Sequence, residues 1–190
     1  VEELCGLEVS STQVSRLTQE LDGDLGKWRN RPLGAMPYLF LDARYEKVRY
    51  AGTVRSLAVL WAIGSNPEGY REVLGVSVSL SEAEVHWRAF LKSLRDRGLT
   101  DLDLIVSDDH EGLKAARKAV FGGIPWQRCQ FHLAQNAQHY ATSLPQRREV
   151  AQDLRDIFNA PDVQAARKRL EATVAKYEAS SPKLATWLEE

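Results

Sequence analysis

Apolar residues recur along this chain with two different periods, and the change from one to the other outlines the fold. Three strand-like runs cover residues 38–49, 55–64 and 71–80. In the third, Leu74, Val76, Val78 and Leu80 alternate with smaller or polar residues, as on a sheet half-covered by other structure. Asn66-Pro67-Glu68-Gly69 supplies a turn between the second and third runs, and connections this short favour an antiparallel meander. The period then becomes helical. Residues 81–98 open with the capping-box pair Ser81 and Glu84, close at Gly98, and carry an apolar stripe of Ala83, Trp87, Phe90, Leu91 and Leu94. A strand (101–108), a helix (112–121) and a further strand (125–132) follow. Strand–helix–strand–helix–strand implies right-handed parallel crossovers. The expected fold is α/β: a mixed sheet of three antiparallel then two parallel strands, with helices on its faces.

The flanks are helical. Residues 1–21 read as two short helices: VEELCGL up to a Gly-containing break, then a helix opened by the capping-box pair Ser10 and Gln13. Val14, Leu17 and Leu21 share one face of the second helix, and Thr12, Gln13, Arg16 and Gln19 lie elsewhere on it. A short helix, a turn and a helix with a polar N-terminal face resemble the end of a helix-turn-helix, whose second helix would meet DNA. A linker helix packed on something upstream gives the same pattern. Residues 22–37, rich in Gly and Pro, read as a linker. From about residue 132 four helical segments run to an uncapped end, with Pro145, Pro161 and Pro182 at or near helix starts. An end inside a helix is what a cut chain, or a longer protein continuing past residue 190, would give.

Composition narrows the class. The 190 residues are 44% hydrophobic and 27% charged, which is globular. No apolar run approaches the roughly 20 residues that span a bilayer. The acidic N-terminus has no basic region of the kind that begins a signal peptide. Two cysteines, Cys5 and Cys129, make no disulfide framework and suit a reducing cytoplasm. A net charge of −1 does not advertise a nucleic-acid partner. Local basic clusters such as Arg44, Lys47 and Arg49 are equally the solvated faces of ordinary elements.

Two acids stand out. Asp42 follows the apolar run Tyr38–Leu41, and Asp108 follows Leu104–Ser107 at the carboxyl end of an expected parallel strand, where open α/β sheets place their sites. An ionised carboxylate is expensive to bury alone, and two brought together repel unless a cation sits between them. A divalent metal is the simplest candidate, as in sites that cut or join phosphodiesters. Taken singly, Asp42 could start a turn and Asp108 could cap the next helix. Cys129-Gln130-Phe131-His132 has the look of half a zinc site, but no matching pair stands at ligand spacing.

The stretches LDARYEKVR, NPEGYREVLGVSVSLSEAEVHWRAFLKSL, SDDHEGLKAARKAVF and WQRCQFHLAQNA together resemble the mutator-type transposases of bacterial insertion sequences, over nearly the whole chain. The resemblance implies a DDE-class, ribonuclease H-like core (38–132), incomplete here, followed by the start of a helical insertion (133–190). It implies cutting and joining of double-stranded DNA at terminal inverted repeats and in a target. Mg²⁺ would be the cofactor, with Mn²⁺ as substitute, in a homo-oligomer free of membranes in the nucleoid-associated cytoplasm. Asp42 matches the first catalytic, metal-binding acid and Asp108 the second. His110 and Gly112 belong to the motif around Asp108, and Cys129 and His132 match a signature near the active site. Arg44 joins Thr12, Gln13, Arg16 and Gln19 as a candidate DNA contact.

The family's third acid, a glutamate, follows the helical insertion, and no matching segment occurs before Glu190. Glu171, Glu178, Glu189 and Glu190 lie on helices of the insertion pattern and are not taken for it. Two alternatives stay open: a non-catalytic remnant that binds DNA or a full-length transposase, and an unrelated phosphate-handling α/β domain using Asp108 and Asp109.

Overall fold

A computed structural model describes residues 10–50 and 52–189. The helix expected over VEELCGL, along with Cys5, lies outside the described residues. The chain divides into two compact units, Val1–Gln127 and Arg128–Glu190.

The first unit opens with helix α1 (Ser11–Asn30). Its capping box forms: the Ser10 hydroxyl accepts the Gln13 amide at 3.2 Å, and Gln13 Oε1 accepts the Ser10 amide at 2.8 Å. The helix continues to Asn30, so most of the segment expected to be a linker is helical instead. Gly23 and Gly26 cost about 1 kcal/mol each relative to Ala in a helix interior, yet no residue before Pro32 forbids the helix. Residues 31–37 are then pinned to the body of the unit. Arg31 donates to Val73 O at 2.7 Å, Arg97 donates to Leu74 O at 2.8 Å and to Arg31 O at 3.0 Å, and the Leu33 amide reaches Arg97 O. Burial, then neighbouring Arg31, holds the Arg97 guanidinium below its ordinary pKa.

Strands β1 (Tyr38–Tyr50), β2 (Thr53–Ser65) and β3 (Arg71–Ser79) form the antiparallel meander. Helix α2 (Glu84–Asp96), strand β4 (Leu104–Ser107), helix α3 (Glu111–Phe121) and strand β5 (Trp126–Arg128) follow. The sheet order is β3-β2-β1-β4-β5, with β1 and β4 parallel. This is the mixed sheet of antiparallel and parallel strands that the sequence predicts.

Helix α2 starts two residues later than its sequence suggests, because the Ser81–Glu84 box does not form. The Ser81 hydroxyl accepts the Ala83 amide instead, and Ala83 takes the N-cap position without a side-chain bond. Its other end is a Schellman motif at Gly98 (φ 89°): the Gly98 amide reaches Arg95 O, and the Leu99 amide reaches Leu94 O.

Strand alternation divides the sheet into two faces. Leu39, Leu41, Leu60, Ala62 and Ile105 are buried with Trp87, Leu91 and Leu94 of α2 and Leu113 of α3. Burying a side chain of this size contributes about 1.5–3 kcal/mol, so this cluster holds the unit together. The other face carries Tyr38, Trp61 and Val78, exposed by 47, 37 and 58%. Among the described residues, helices α2 and α3 pack on the first of these faces, as expected.

The second unit contains α4 (Gln130–Ala137), a 3₁₀ turn (Gln138–Tyr140), α5 (Leu144–Phe158), α6 (Val163–Glu178) and α7 (Pro182–Glu189). Their core includes Val150, Leu154, Val174, Tyr177 and Leu184. No helix among the described residues is long and apolar enough to cross a membrane.

Candidate active site

The parallel ladder of β1 and β4 decides where the two acids stand. Its last pair is Leu41 with Ser107, and each acid is the next residue in the chain: Asp42 within β1, and Asp108 just past the end of β4. Leu41 and Ser107 are 2 and 1% exposed, so the acids that alternate with them face the other way. Asp42 and Asp108 therefore leave neighbouring strands, spaced by about 4.8 Å, on the same open face of the sheet. Asp42 is exposed and Asp108 half-buried. Trp61 is the cross-strand partner of Asp42.

Each carboxylate is steadied by the chain just after it. Asp42 Oδ1 accepts the Ala43 amide at 2.9 Å, and Asp108 Oδ1 accepts the Asp109 amide at 2.7 Å. Beneath Asp108, the buried Ser107 hydroxyl donates to Asp108 O at 2.8 Å and accepts from Trp126 Nε1 at 2.9 Å. Ser107 and Trp126 thus fix the backbone of the second acid. Neither was singled out for that role in the sequence, because the bond joins residues on different strands.

Asp109 turns to another partner, Lys114 Nζ, at 2.7 Å. That hydrogen bond, then the one to Glu111, raises the Lys114 pKa. His110 occupies the N-cap position of α3 without a side-chain cap and is exposed. Gly112 lies in the first turn of α3, where a Cβ would stand 2.3 Å from Glu82 O and 3.0 Å from Glu84 N. The motif glycine is thus where α3 touches the backbone leading into α2.

The remaining candidates are spread more widely. Arg44 pairs with Glu46 at 2.7 Å. Gln13 is engaged in the cap of α1, Arg16 pairs with Glu20 at 3.8 Å, and Thr12 and Gln19 are exposed on the same helix. Cys129 and His132 belong to the second unit. Expected at a strand end, they instead take the N-cap position and the first turn of α4, because β5 is only three residues long. Among the described residues no three His, Cys, Asp or Glu side chains form a metal-binding group. Asp42 and Asp108 are hard carboxylate donors following paired positions of neighbouring strands, a donor type that suits Mg²⁺ or Mn²⁺ with waters and phosphate in the remaining positions.

A mixed five-stranded sheet with an acid within β1 and another just past the parallel strand β4 places this chain among open α/β domains, which set their sites beyond the carboxyl ends of parallel strands. Residues 1–190 match the family model described as transposase, Mutator family. The chain is 54% identical over 183 residues to the transposase for insertion sequence element IS406 of Burkholderia multivorans, covering 96% of this chain and 47% of that protein. It is 40% identical over 192 residues to the transposase for element ISRM5 of Rhizobium meliloti, covering 100% and 48%. The HTLV-2 integrase catalytic core domain in complex with magnesium aligns with 70% of this chain and 91% of that one, at 15% identity and a TM-score of 0.29, a likeness too loose to argue from. The chain belongs to the Mutator family of transposases. It spans about half the length of the curated relatives it matches.

Proposed function

We propose that this chain is part of an insertion-sequence transposase that cuts and joins DNA at terminal inverted repeats. The observation that supports the reading is the register of β1 and β4, in which Leu41 and Ser107, the residues just before Asp42 and Asp108, are paired.

Asp42 and Asp108 would hold divalent metal ions, Mg²⁺ or Mn²⁺, which supply charge neutralisation at the phosphate and a more acidic attacking hydroxyl. In the first step water adds to phosphorus as the bond to the 3′ oxygen breaks, leaving a 3′-hydroxyl and a 5′-phosphate. In the second, that 3′-hydroxyl attacks a target phosphodiester and displaces its 3′ oxygen. Both acids act from fixed positions on the sheet, so the scissile phosphate must come to it. The bonds from Ala43 and Asp109 hold one oxygen of each carboxylate in place. Ser107 and Trp126 keep Asp108 from drifting along the strand. His110 and Gly112 shape the surroundings, and exposed Thr12, Arg16 and Gln19 of α1 with Arg44 contact DNA. A third acid, a glutamate after the helical insertion, completes the site in the whole enzyme, which works as an oligomer on DNA in the cytoplasm.

The described residues gather two acids rather than three, which favours a second reading for the isolated chain: it binds DNA or a full-length transposase without cutting. Labelled inverted-repeat DNA with Mg²⁺ or Mn²⁺ separates the two. In the full-length enzyme, Asp42→Asn or Asp108→Asn abolishes cleavage and leaves DNA binding intact; cleavage retained in either variant defeats the assignment. Nicking by the 190-residue chain alone would refute the second reading.

A further inference from the structure

Helix α1 is 20 residues long and buries none of its side chains. Val14, Leu17, Leu21 and Leu25 are exposed by 49, 54, 58 and 36%, and half-buried Trp28 continues their line. Thr12, Arg16 and Gln19 take the opposite side by helical periodicity. A continuous apolar stripe on an otherwise polar helix marks an interaction surface.

We infer that this stripe is a self-association surface, on which a second copy of the chain lays its own α1 antiparallel about a two-fold axis at Leu21. The spacing carries the inference. Successive apolar residues are 3, 4, 4 and 3 positions apart, so the stripe reads the same from either end. Turned about Leu21, it meets its copy apolar to apolar at every position: Leu21 on Leu21, Leu17 on Leu25, Val14 on Trp28. Such self-complementarity is what a two-fold interface requires.

Charge favours the antiparallel sense. In a parallel pair Lys27 would face Lys27 and Arg29 would face Arg29, with the helix dipoles aligned. Antiparallel, Lys27 lies opposite Ser15 and Arg29 opposite Gln13, and the dipoles oppose. The acids Glu20 and Asp22 do approach across the axis, beside Arg16, which already pairs with Glu20. A stripe of five apolar residues on one helix is small beside the roughly 1,200 Å² that stable interfaces bury in total, so the dimer is a weak, transient one. The inference holds whether or not the chain cuts DNA.

Sedimentation equilibrium of the 190-residue chain from about 1 to about 100 μM tests it. A reversible monomer–dimer equilibrium is expected. Leu21→Asp, at an exposed position that leaves the fold intact by circular dichroism, raises the dissociation constant about 100-fold or more, since each dimer loses two apolar contacts and gains two facing carboxylates. In a Cys5→Ser, Cys129→Ser background, oxidation crosslinks a mixture of Leu17→Cys and Leu25→Cys chains but neither alone. A chain that stays monomeric, a dimer indifferent to Leu21→Asp, or crosslinking of either single variant with itself overturns the inference.

Discussion

Replacing Gly112 by alanine would strike the contact that sets the approach of α3 to α2. The added Cβ would lie 2.3 Å from Glu82 O, 3.0 Å from Glu84 N and 3.2 Å from the Ala83 carbonyl carbon. All three neighbours are backbone atoms, so no rotamer change relieves the clash; one segment must retreat by about 1 Å to reach ordinary contact. Overpacking of this kind costs about 1–3 kcal/mol. Alanine's better helix propensity returns at most about 1 kcal/mol, and less in a first turn. Gly112→Ala should therefore destabilise the first unit by about 2 kcal/mol in urea titrations of the chain. Gly26→Ala, a helical position with nothing within 4 Å of the new methyl, should stabilise slightly and serves as the control. Because α3 begins just after Asp108, the same retreat displaces the second acid, and a misplacement near 1 Å can cost about 100-fold in rate. In the full-length enzyme the variant should bind terminal-repeat DNA but cleave it about 100-fold more slowly. A Gly112→Ala chain as stable as wild type within about 0.5 kcal/mol would refute the packing argument.

Two further outcomes follow from buried polar contacts. Ser107→Ala leaves Trp126 Nε1 without its acceptor and should cost about 1–3 kcal/mol, whereas adding Trp126→Phe should recover part of that loss; a double-mutant cycle with no coupling would discount the bond. In the second unit, Tyr177 donates to Asp153 at 2.7 Å, and Lys176 pairs with Asp153 at 2.7 Å and with Glu149 at 2.8 Å. Burial, then the bond to Asp153, raises the Tyr177 pKa; burial lowers that of Lys176, but its bonds to Asp153 and Glu149 more than offset this, so it too is raised. Both groups keep their protons in the folded state beyond the pH at which the unfolded chain releases them. Their stabilisation is intact below about pH 10 and is lost as pH rises further. Melting curves at about pH 9 and 11 should show a drop that is smaller in Asp153→Asn; equal drops would count against the coupling.

The strands were legible because their signals are local and strong. The run read at 38–49 is a strand over Tyr38–Tyr50, and the stripe Trp87, Phe90, Leu91 and Leu94 is the buried face of α2. The sheet order followed from crossover rules and short connections alone. What the sequence hid is what depends on competition or distance. Ser81 looked like a cap for Glu84, but a nearer amide, that of Ala83, took its hydroxyl. Gly23 and Gly26 looked like a break, yet weak helix formers do not end a helix that a good cap has started. Gly112 was visible as a motif letter, but its reason lies in the backbone of residues 82–84, where no local pattern points.

The placement of the acids changes the argument made for them from sequence. An acid closing an apolar strand invites the view that it is buried and needs a cation to offset desolvation. Asp42 is exposed and Asp108 half-buried, on the face away from the Leu39, Leu41 and Ile105 core, so solvation carries much of that cost. What unites them is parallel register: four ladder pairs, Tyr38–Leu104 to Leu41–Ser107, bring two distant points of the chain onto adjacent strands with matched parity. A shift of one residue in that ladder would turn one acid into the core and leave the other outside. The site therefore depends on the packing that fixes the ladder, in which Leu39, Leu41 and Ile105 meet α2 and α3, as much as on the carboxylates themselves.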